Sequence, residues 1–318
     1  MGLLDRLEAA RAVRDEVRRA ARDAALAALC DAEDTEALGL AWTRIASQMD
    51  ALFIAQEDVV PLRQTILRLG VQGRLVSQDP TDESPDKLLF GIMAEKVAKL
   101  SARTLAGEPA WQPVVGSDTL GTLPQSWIWC RLGQISLSIS DGDHLPPPQV
   151  PKGIPFLTIG NVSGGRLDFE TTRFVSPEYF RLIGSTRTPR VGDILYTVVG
   201  TYGRPVRVDT AVPFCVQRHI AIIKLTSHVN QTYLYYFLRS PLAYSQATRA
   251  VTGSAQPTVA LRPLRQFLVP FPPFAEQCRI AAKIDALMAL CDDLEARLAT
   301  SHELQDKFAA AAVHHLDV

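Results

Sequence analysis

A polar loop in the middle of the chain carries hydrogen-bonding side chains next to a run of prolines. The loop consists of Asp141, Gly142, Asp143 and His144, and prolines occupy positions 146 to 148. Carboxylate and imidazole groups bind polar ligands, and the neighbouring prolines reduce the entropy that is lost when such a loop becomes ordered. An ordinary Asx turn is the alternative explanation of the same residues.

Two further loops and the start of one strand combine glycines with hydroxyl, amide and cationic groups. One loop runs from Val199 to Arg204, and the other runs from Thr252 to Thr258. Glycine lets a backbone approach a phosphate group or the edge of a groove, and an amide side chain such as that of Gln256 can pair with adenine. The candidate binding residues of these segments are Thr201, Tyr202, Gly203, Arg204, Arg218, His219, Thr252, Gly253, Ser254 and Gln256.

Positive charge is concentrated in the part of the chain that carries these loops. Residues 125–265 hold 15 Lys+Arg against seven Asp+Glu, a net charge of +8, whereas the remainder of the chain is at −9 and the whole chain at −1. Only two of the 15 cations are lysines. The planar guanidinium of arginine pairs bidentately with phosphate oxygens or with guanine. This distribution favours nucleic-acid binding, and a solvated basic surface is the alternative.

Signatures of catalysis are missing from the sequence. The string Phe271-Pro272-Pro273-Phe274 is similar to the catalytic loop of amino methyltransferases, but Phe271 replaces the polar residue that must bind the target amino group. No phosphate-binding glycine loop of the GxxxxGK[ST] type occurs, and the six histidines do not recur at metal-ligand spacing. The chain is therefore expected to bind a ligand rather than to transform one.

The cysteines and the N-terminus point to an intracellular protein. The five cysteines lie far apart and include no CxxC pair, which fits a reducing compartment and small buried side chains. The first twenty residues carry charges on every turn, and no stretch of eighteen apolar residues occurs. These features predict a soluble, cytoplasmic protein without a membrane segment.

The hydrophobic periodicity divides the chain into helical and β-rich parts. We expect an N-terminal helix over 1–33, a helical region over 34–104, a linker over 105–124, a β-rich domain over 125–268 and a long helix over 269–318. This is an α+β fold, in which one β-rich domain is flanked by long coiled-coil-like helices. The β-rich domain should contain a single helix, over 231–251.

Heptad spacing marks both helical regions. In the first region a helix that begins at Asp34 or Thr35 should kink or restart at Pro61 and stop at Gly70. Its apolar positions are Leu38, Trp42, Ile45, Met49 and Leu52. The seam of the C-terminal helix consists of Ile280, Ile284, Leu287, Cys291, Leu294 and Leu298. Such a seam needs a partner helix, because a single helix cannot bury it.

The second half of the chain contains five characteristic runs of residues in a fixed order: GIPFLTIGNV, VGDILYTVVGTYGRPVRV, PFCVQRHIAIIKL, YLYYFLRSP and TGSAQPTVALRPLRQFLVPFPPFAEQCRIAAKIDALMALCDDLE. In this order the runs resemble a target recognition domain and the following helix of type I restriction-modification specificity subunits. Upstream, LRQTILRLGVQGRLVSQDPTDESPDKLL resembles the helix end and turn that precede such a domain. The resemblance covers residues 60–318, and the first 35 residues lie outside it.

The resemblance implies a scaffold that reads double-stranded DNA and has no catalytic residues of its own. The β-rich domain would read one half-site, and Asn161, in the first run, joins the candidate DNA-binding residues. A modification (methyltransferase) subunit would dock on the long helices, with a restriction subunit as a further partner. This chain would then hold no cofactor, because adenosylmethionine, ATP and Mg²⁺ would belong to the partner subunits.

Full-length members of the family carry two recognition domains, whereas this chain shows one. The resemblance therefore implies either a half-subunit that acts as a homodimer through the C-terminal seam or a truncated product. Two other classes of protein stay open: a stand-alone DNA modification or cleavage enzyme, and a helical adaptor whose β-rich domain binds protein. The missing catalytic motifs argue against the enzyme, and the local charge of +8 argues against the adaptor.

Overall fold

The computed structural model of the protein describes residues 2–106, 109, 111–116, 119–142, 147–253 and 255–316. The chain forms two compact units. We call them the helical unit, Met1–Leu69 with Lys283–Val318, and the β-rich unit, Gly70–Ala282. All strands of the described residues lie in the β-rich unit, which confirms the predicted α+β class.

The described residues form twelve α-helices and eleven strands. The helices are α1 (Leu3–Asp31), α2 (Thr35–Ser47), α3 (Met49–Leu52), α4 (Val59–Val71), α5 (Pro85–Lys99), α6 (Ala102–Ala106), α7 (Leu132–Ile135), α8 (Pro177–Leu182), α9 (Gln231–Arg239), α10 (Pro241–Ala250), α11 (Leu261–Arg265) and α12 (Phe274–Leu316). The strands are β1 (Ile128–Arg131), β2 (Ser136–Asp141), β3 (Gln149–Leu157), β4 (Arg173–Val175), β5 (Ile194–Thr197), β6 (Pro205–Arg207), β7 (Cys215–Val216), β8 (Ile220–Leu225), β9 (Val251–Thr252), β10 (Thr258–Val259) and β11 (Leu268–Phe271).

The helical unit begins with the predicted N-terminal helix, α1, which packs against α2 and α3. Helix α2 begins at Thr35, as its sequence predicts, because the side chain of Asp34 accepts a hydrogen bond of 2.8 Å from the backbone N–H of Ala37. Of the heptad positions in this region, Ile45 and Leu52 are buried.

Of the two outcomes expected at Pro61, a kink or a restart, the structure shows a restart, which begins two residues earlier than predicted. The chain leaves the helical conformation after Leu52 and re-enters it at Val59, so that Pro61 lies in the first turn of α4. Asp58 stabilises this break, since its carboxylate accepts the backbone N–H groups of Ile54 and Ala55, each at 3.0 Å. Proline is tolerated in a first turn because no intrahelical partner for its missing N–H is needed there. Helix α4 ends one residue beyond the predicted stop.

Helix α12 is the longest element of the protein. Its 43 residues span about 65 Å at 1.5 Å per residue. The predicted seam is buried at Ile280, Ile284 and Cys291, whereas Met288 is buried in place of the half-buried Leu287. A straight α-helix drifts relative to an exact heptad repeat, which moves the buried line by one position. No helix of the described residues, α12 included, has the length and apolar character needed to cross a bilayer.

Arg63 joins α4 to α12 within the helical unit. One nitrogen of its guanidinium lies 2.7 Å from Asp292 and 2.7 Å from Glu295. Burial alone would lower the pKa of Arg63, but the two carboxylates outweigh it and raise that pKa above its ordinary value. The guanidinium therefore stays charged and forms ion pairs that join α4 to α12.

The β-rich unit is organised around a four-stranded antiparallel sheet with the order β2-β8-β5-β6. A three-stranded sheet has the order β4-β3-β7, and β1 pairs with β11. The sheet packs on α9 and α10 through one buried cluster, which includes Tyr196 and Ile223 of the sheet, Leu234 of α9 and Ala243 of α10. Leu88 of α5 belongs to the same cluster.

The single helix predicted over 231–251 is wrong, because the structure divides it into α9 and α10. The division falls at Ser240, directly before Pro241. Proline disfavours helical conformation in the residue before it and cannot donate a backbone hydrogen bond. Ser240 instead caps α10 and accepts a hydrogen bond of 3.3 Å from the N–H of Ala243. The short helices α7, α8 and α11 were not predicted either.

Candidate nucleic-acid interface

Strand pairing brings the predicted polar segments to one end of the four-stranded sheet. Asp141, the last residue of β2, pairs with Ala221 of β8. Thr197, the last residue of β5, pairs with Ile220, the first residue of β8. Gly142 at the end of β2, the segment after β5 and the turn before β8 therefore lie side by side, although they are far apart in the chain.

The hairpin β9–β10 adds the fourth polar segment to this end of the sheet. The backbone N–H of Gly200 donates to the carbonyl of Pro257 at 2.8 Å. The backbone N–H of Val259 donates to the carbonyl of Val198, also at 2.8 Å. Gly253 at the hairpin turn has a φ of +86°, a conformation that L-residues with a side chain rarely adopt. Thr252, Gly253 and Gln256 are exposed there. Ser254 lies outside the described residues.

The loop between β5 and β6 holds Tyr202 and Arg204 in defined positions. The ring of Tyr202 stacks on Tyr244 of α10, with centroids 5.7 Å apart and planes inclined by 10°. The Tyr202 hydroxyl lies 3.2 Å from that of Thr248. Arg204 is exposed and donates to the carbonyl oxygen of Ser163 at 2.6 Å. Thr201, directly before Tyr202, is exposed.

Gly203 makes the stack possible. Its φ is +84°, and a Cβ at this position would lie 3.0 Å from a ring carbon of Tyr244. The sequence did not indicate Tyr244 and Thr248 as site residues. The residue pattern of α10 does not show that one face of this helix contacts the loop between β5 and β6. A buried tyrosine, Tyr196, lies below the loop, and its hydroxyl has no hydrogen-bond partner in the described residues.

Arg218 and His219 occupy the turn before β8. Arg218 is exposed, and its Nε lies 3.5 Å from Nε2 of the half-buried His219. Burial and the charge of Arg218 lower the pKa of His219, so that the imidazole is neutral at pH 7. The carbonyl of His219 accepts the N–H of Val198 at 3.0 Å, which fixes the turn against the end of β5.

Asp141 and Gly142 lie at the base of the first polar loop, whereas Asp143 and His144 lie outside the described residues. Arg187 donates to the carbonyl of Asp141 at 3.0 Å and also to the carbonyl of Gly142. Gly142 packs against backbone: a Cβ built on it would overlap the carbonyl oxygen of Val216. Glycine is therefore required at position 142 because a side chain would overlap the backbone, and not because a turn needs a positive φ there. Sequence reasoning missed Arg187, which is one of many arginines in this region.

Asn161 supports a loop instead of facing outwards. Only 4% of its surface is exposed. Its amide oxygen accepts the N–H and the hydroxyl of Thr158, both at 2.9 Å, and its amide nitrogen donates to the carbonyl of Asp168 at 3.1 Å. The side chain fixes the turn that leads to Ser163, the partner of Arg204. Any contribution of Asn161 to binding is therefore indirect.

The catalytic-loop similarity around Phe271 has a structural explanation. Phe271 is buried in β11, where it pairs with Ile128. The buried side chain of Gln277 fixes the start of α12. Its amide nitrogen donates to the carbonyl of Pro272 at 3.0 Å, and its amide oxygen accepts a hydrogen bond of 2.9 Å from the backbone N–H of Asn230. Within the described ranges, no group of three or more His, Cys, Asp or Glu side chains is placed to hold a metal ion.

Residues 147–302, which include most of the polar segments described above, match the family model of the type I restriction modification DNA specificity domain. This half of the chain is similar to the DNA specificity domain of type I restriction-modification systems. This match confirms the predicted family resemblance. The matched residues include three strands of the four-stranded sheet (β5, β6 and β8), the hairpin β9–β10 and the first part of α12, whereas β2 precedes them.

Two curated relatives from Escherichia coli are specificity subunits of type I restriction enzymes. The chain is 29% identical over 304 residues to the specificity subunit of the type I restriction enzyme EcoEI, covering 90% of this chain and 50% of the relative. It is 25% identical over 322 residues to the EcoAI specificity subunit, covering 98% of this chain and 54% of the relative. The chain with its specificity domain thus spans about half the length of these relatives.

Solved structures of the family are also similar to this chain. A chain from a structure of type I R-M complex assembly and conformational transition has a TM-score of 0.49 at 19% identity, covering 84% of this chain and 56% of that chain. The HsdS subunit of Thermoanaerobacter tengcongensis has a TM-score of 0.44 at 20% identity, covering 80% and 54% of the two chains.

Proposed function

We propose that this protein reads one half-site of a bipartite DNA target for a type I restriction-modification complex. The convergence of the polar segments at one end of the sheet carries the proposal, because it lies in residues 125–265, whose net charge is +8, and most of it lies within the residues that match the DNA specificity domain. A basic surface attracts the phosphate backbone, and exposed polar loops then contact base edges. The protein would act in the cytoplasm and recognise DNA without catalysing a reaction on it.

Catalysis would belong to the partners of this chain. We propose that a modification subunit docks on the helical unit and supplies adenosylmethionine, and that a restriction subunit supplies the ATP and Mg²⁺ chemistry. In support of this assignment, the carboxylates and histidines of the described residues form no metal-ligand group, and Phe271 is a buried strand residue.

Replacing Arg204 or Arg218 by alanine tests the DNA-binding surface. Each substitution should weaken DNA binding by about 1–3 kcal/mol, because each removes an exposed guanidinium from the end of the sheet at which the loops converge. Loss of a phosphate contact lowers the slope of log K against log salt concentration by about one. Loss of a base contact instead relaxes the sequence specificity at one position of the DNA target. Fluorescence anisotropy at several salt concentrations measures both effects.

Arg181 is the matched control for these variants, because it is an exposed arginine of the same unit that is paired with Glu178 at 3.3 Å on α8. Arg181→Ala changes the net charge by the same amount and should leave affinity nearly unchanged. If both test variants bind DNA as tightly as the unmodified protein and with the same salt dependence, DNA does not bind at this end of the sheet.

We further propose that two copies associate through the last part of α12 to read two half-sites. Its exposed face carries Leu290, Leu304 and Phe308, and the latter two side chains are 61% and 78% exposed. Two identical domains related by two-fold symmetry would read a palindromic target divided by a spacer. Because these side chains are exposed in one copy, Leu304→Glu with Phe308→Glu should convert a dimer into a monomer in sedimentation velocity without unfolding it. A monomeric unmodified protein would contradict this assembly.

A further inference from the structure

We propose that Arg207, Tyr235 and Arg239 form a second DNA-contacting site, which binds a backbone phosphate away from the polar loops. The three residues lie on β6 and α9 of the β-rich unit. None of them is among the residues that the sequence marks as binding candidates. The proposal rests on the proposed function, since it adds a contact for the same DNA duplex.

Both arginines are held against one aromatic ring. The guanidinium carbon of Arg207 lies 4.9 Å from the centroid of the Tyr235 ring, and that of Arg239 lies 5.4 Å from it. Arg207 also donates to the hydroxyl of Thr232 at 3.4 Å, and Arg239 donates to the hydroxyl of Tyr235 at 3.4 Å. Tyr235 is half-buried and packs against the core cluster, so the ring is a fixed support. Stacking on it orders two long side chains before any ligand binds, which lowers the entropy cost of binding.

The charge of this pair is not compensated within the described residues. Neither Arg207 nor Arg239 forms an ion pair there, whereas Arg279 and Lys224 of the same unit are each paired with an aspartate at 2.6 Å. Asp209 lies two residues beyond the end of β6, but its carboxylate forms no ion pair with either guanidinium. Two exposed cations that converge on one ring repel each other, and a bound anion would remove that repulsion.

The position of the site favours the phosphate backbone of DNA over an acidic protein surface. Strand β6 lies at the edge of the four-stranded sheet, Arg207 is its last residue, and Arg204 directly precedes its first residue. Three residues of a strand span roughly 10 Å, which is a distance that a duplex bound at Arg204 covers easily. Arginines on an edge strand also discourage pairing between sheets, but that role does not require a second arginine from α9 or a shared ring.

The full chain tests this site with Arg207→Gln, Arg239→Gln and the double variant, with Arg181→Gln as the matched charge control. A phosphate contact carries no sequence information, so the double variant should bind duplexes of unrelated sequence roughly tenfold more weakly and by the same factor for each. The slope of log K against log salt should fall by about one for each arginine removed. Tyr235→Phe keeps the ring, and should retain most of the affinity, whereas Tyr235→Leu should weaken binding as the arginine variants do.

Several results would overturn the proposal. If the double variant retains its thermal midpoint, its affinity and its salt slope while the unmodified protein binds DNA, the arginine pair does not contact phosphate. Retained DNA binding with weakened association of the modification subunit would assign the pair to a protein partner instead. If the unmodified protein binds no DNA, the proposed function fails and this site fails with it. If the unmodified protein binds DNA and the double variant binds it equally well, only this site fails.

Discussion

Asp58→Ala is expected to lower the free energy of unfolding of the helical unit by about 3–5 kcal/mol, because it removes the buried carboxylate that pairs with both the partly buried Arg18 and the buried Arg22. Arg18 donates to one oxygen of the Asp58 carboxylate at 2.6 Å, and Arg22 contacts the other oxygen. The same carboxylate accepts the N–H groups of Ile54 and Ala55. One side chain thus joins α1 to the break before α4. Chemical denaturation followed by circular dichroism measures the loss.

The stability that Asp58 contributes should also depend on pH. Burial alone would raise the pKa of Asp58, but the hydrogen bonds from Arg18 and from the backbone outweigh it and lower that pKa below its usual value of 3.8. A carboxyl group whose pKa is lower in the folded state stabilises the fold at a pH above its unfolded pKa. This stability is lost as the pH falls through the folded pKa. Asp58→Asn should therefore remove part of the acid sensitivity below about pH 4.

Asp23 provides the control for Asp58. It is an exposed aspartate of α1 whose carboxylate lies 2.8 Å from Arg22. Because exposed ion pairs contribute little, Asp23→Ala should cost no more than about 1 kcal/mol. Equal effects of the two substitutions would show that the buried cluster does not hold the helical unit together.

Gly142→Ala is expected to destabilise the β-rich unit by about 2–4 kcal/mol and to weaken DNA binding, because the added methyl group overlaps backbone atoms. The obstacle is the carbonyl of Val216, and a backbone atom cannot rotate away as the end of a flexible side chain can. The N–H of Gly142 also donates to the carbonyl of Ile220 at 3.3 Å. Displacement of the end of β2 would move the polar segments that converge there. Thermal unfolding and DNA anisotropy measure the two effects.

Gly164→Ala is the matched control in the same unit. A Cβ at Gly164 meets no atom within 4 Å, and its φ lies outside the left-handed region. This variant should therefore keep its stability and its DNA affinity. A Gly142→Ala protein that is as stable as the Gly164→Ala protein would show that the packing of β2 against β7 is looser than the structure indicates.

Local chemistry allowed most elements to be predicted from the sequence. The cap at Asp34, the alternating strands such as β5 and β8, and the length of α12 follow from side chains that act within a few residues of their own position. The errors fell where a distant or competing interaction decides the outcome. Asp58 stabilises a helix break ahead of Pro61, and Pro241 divides a segment whose apolar pattern is continuous.

The sequence by itself determined the family, the α+β class and the concentration of arginine in the β-rich part. Only the tertiary structure decided which polar side chains lie together at the surface and which are used for contacts inside the fold. Asn161 is used inside a turn, Tyr244 supports Tyr202, and Arg207 meets Arg239 on one ring. The physical reason is that strand pairing joins segments far apart in the chain: the contacts of Ala221 with Asp141 and of Ile220 with Thr197 bring the ends of β2 and β5 together, and no local spacing encodes that register.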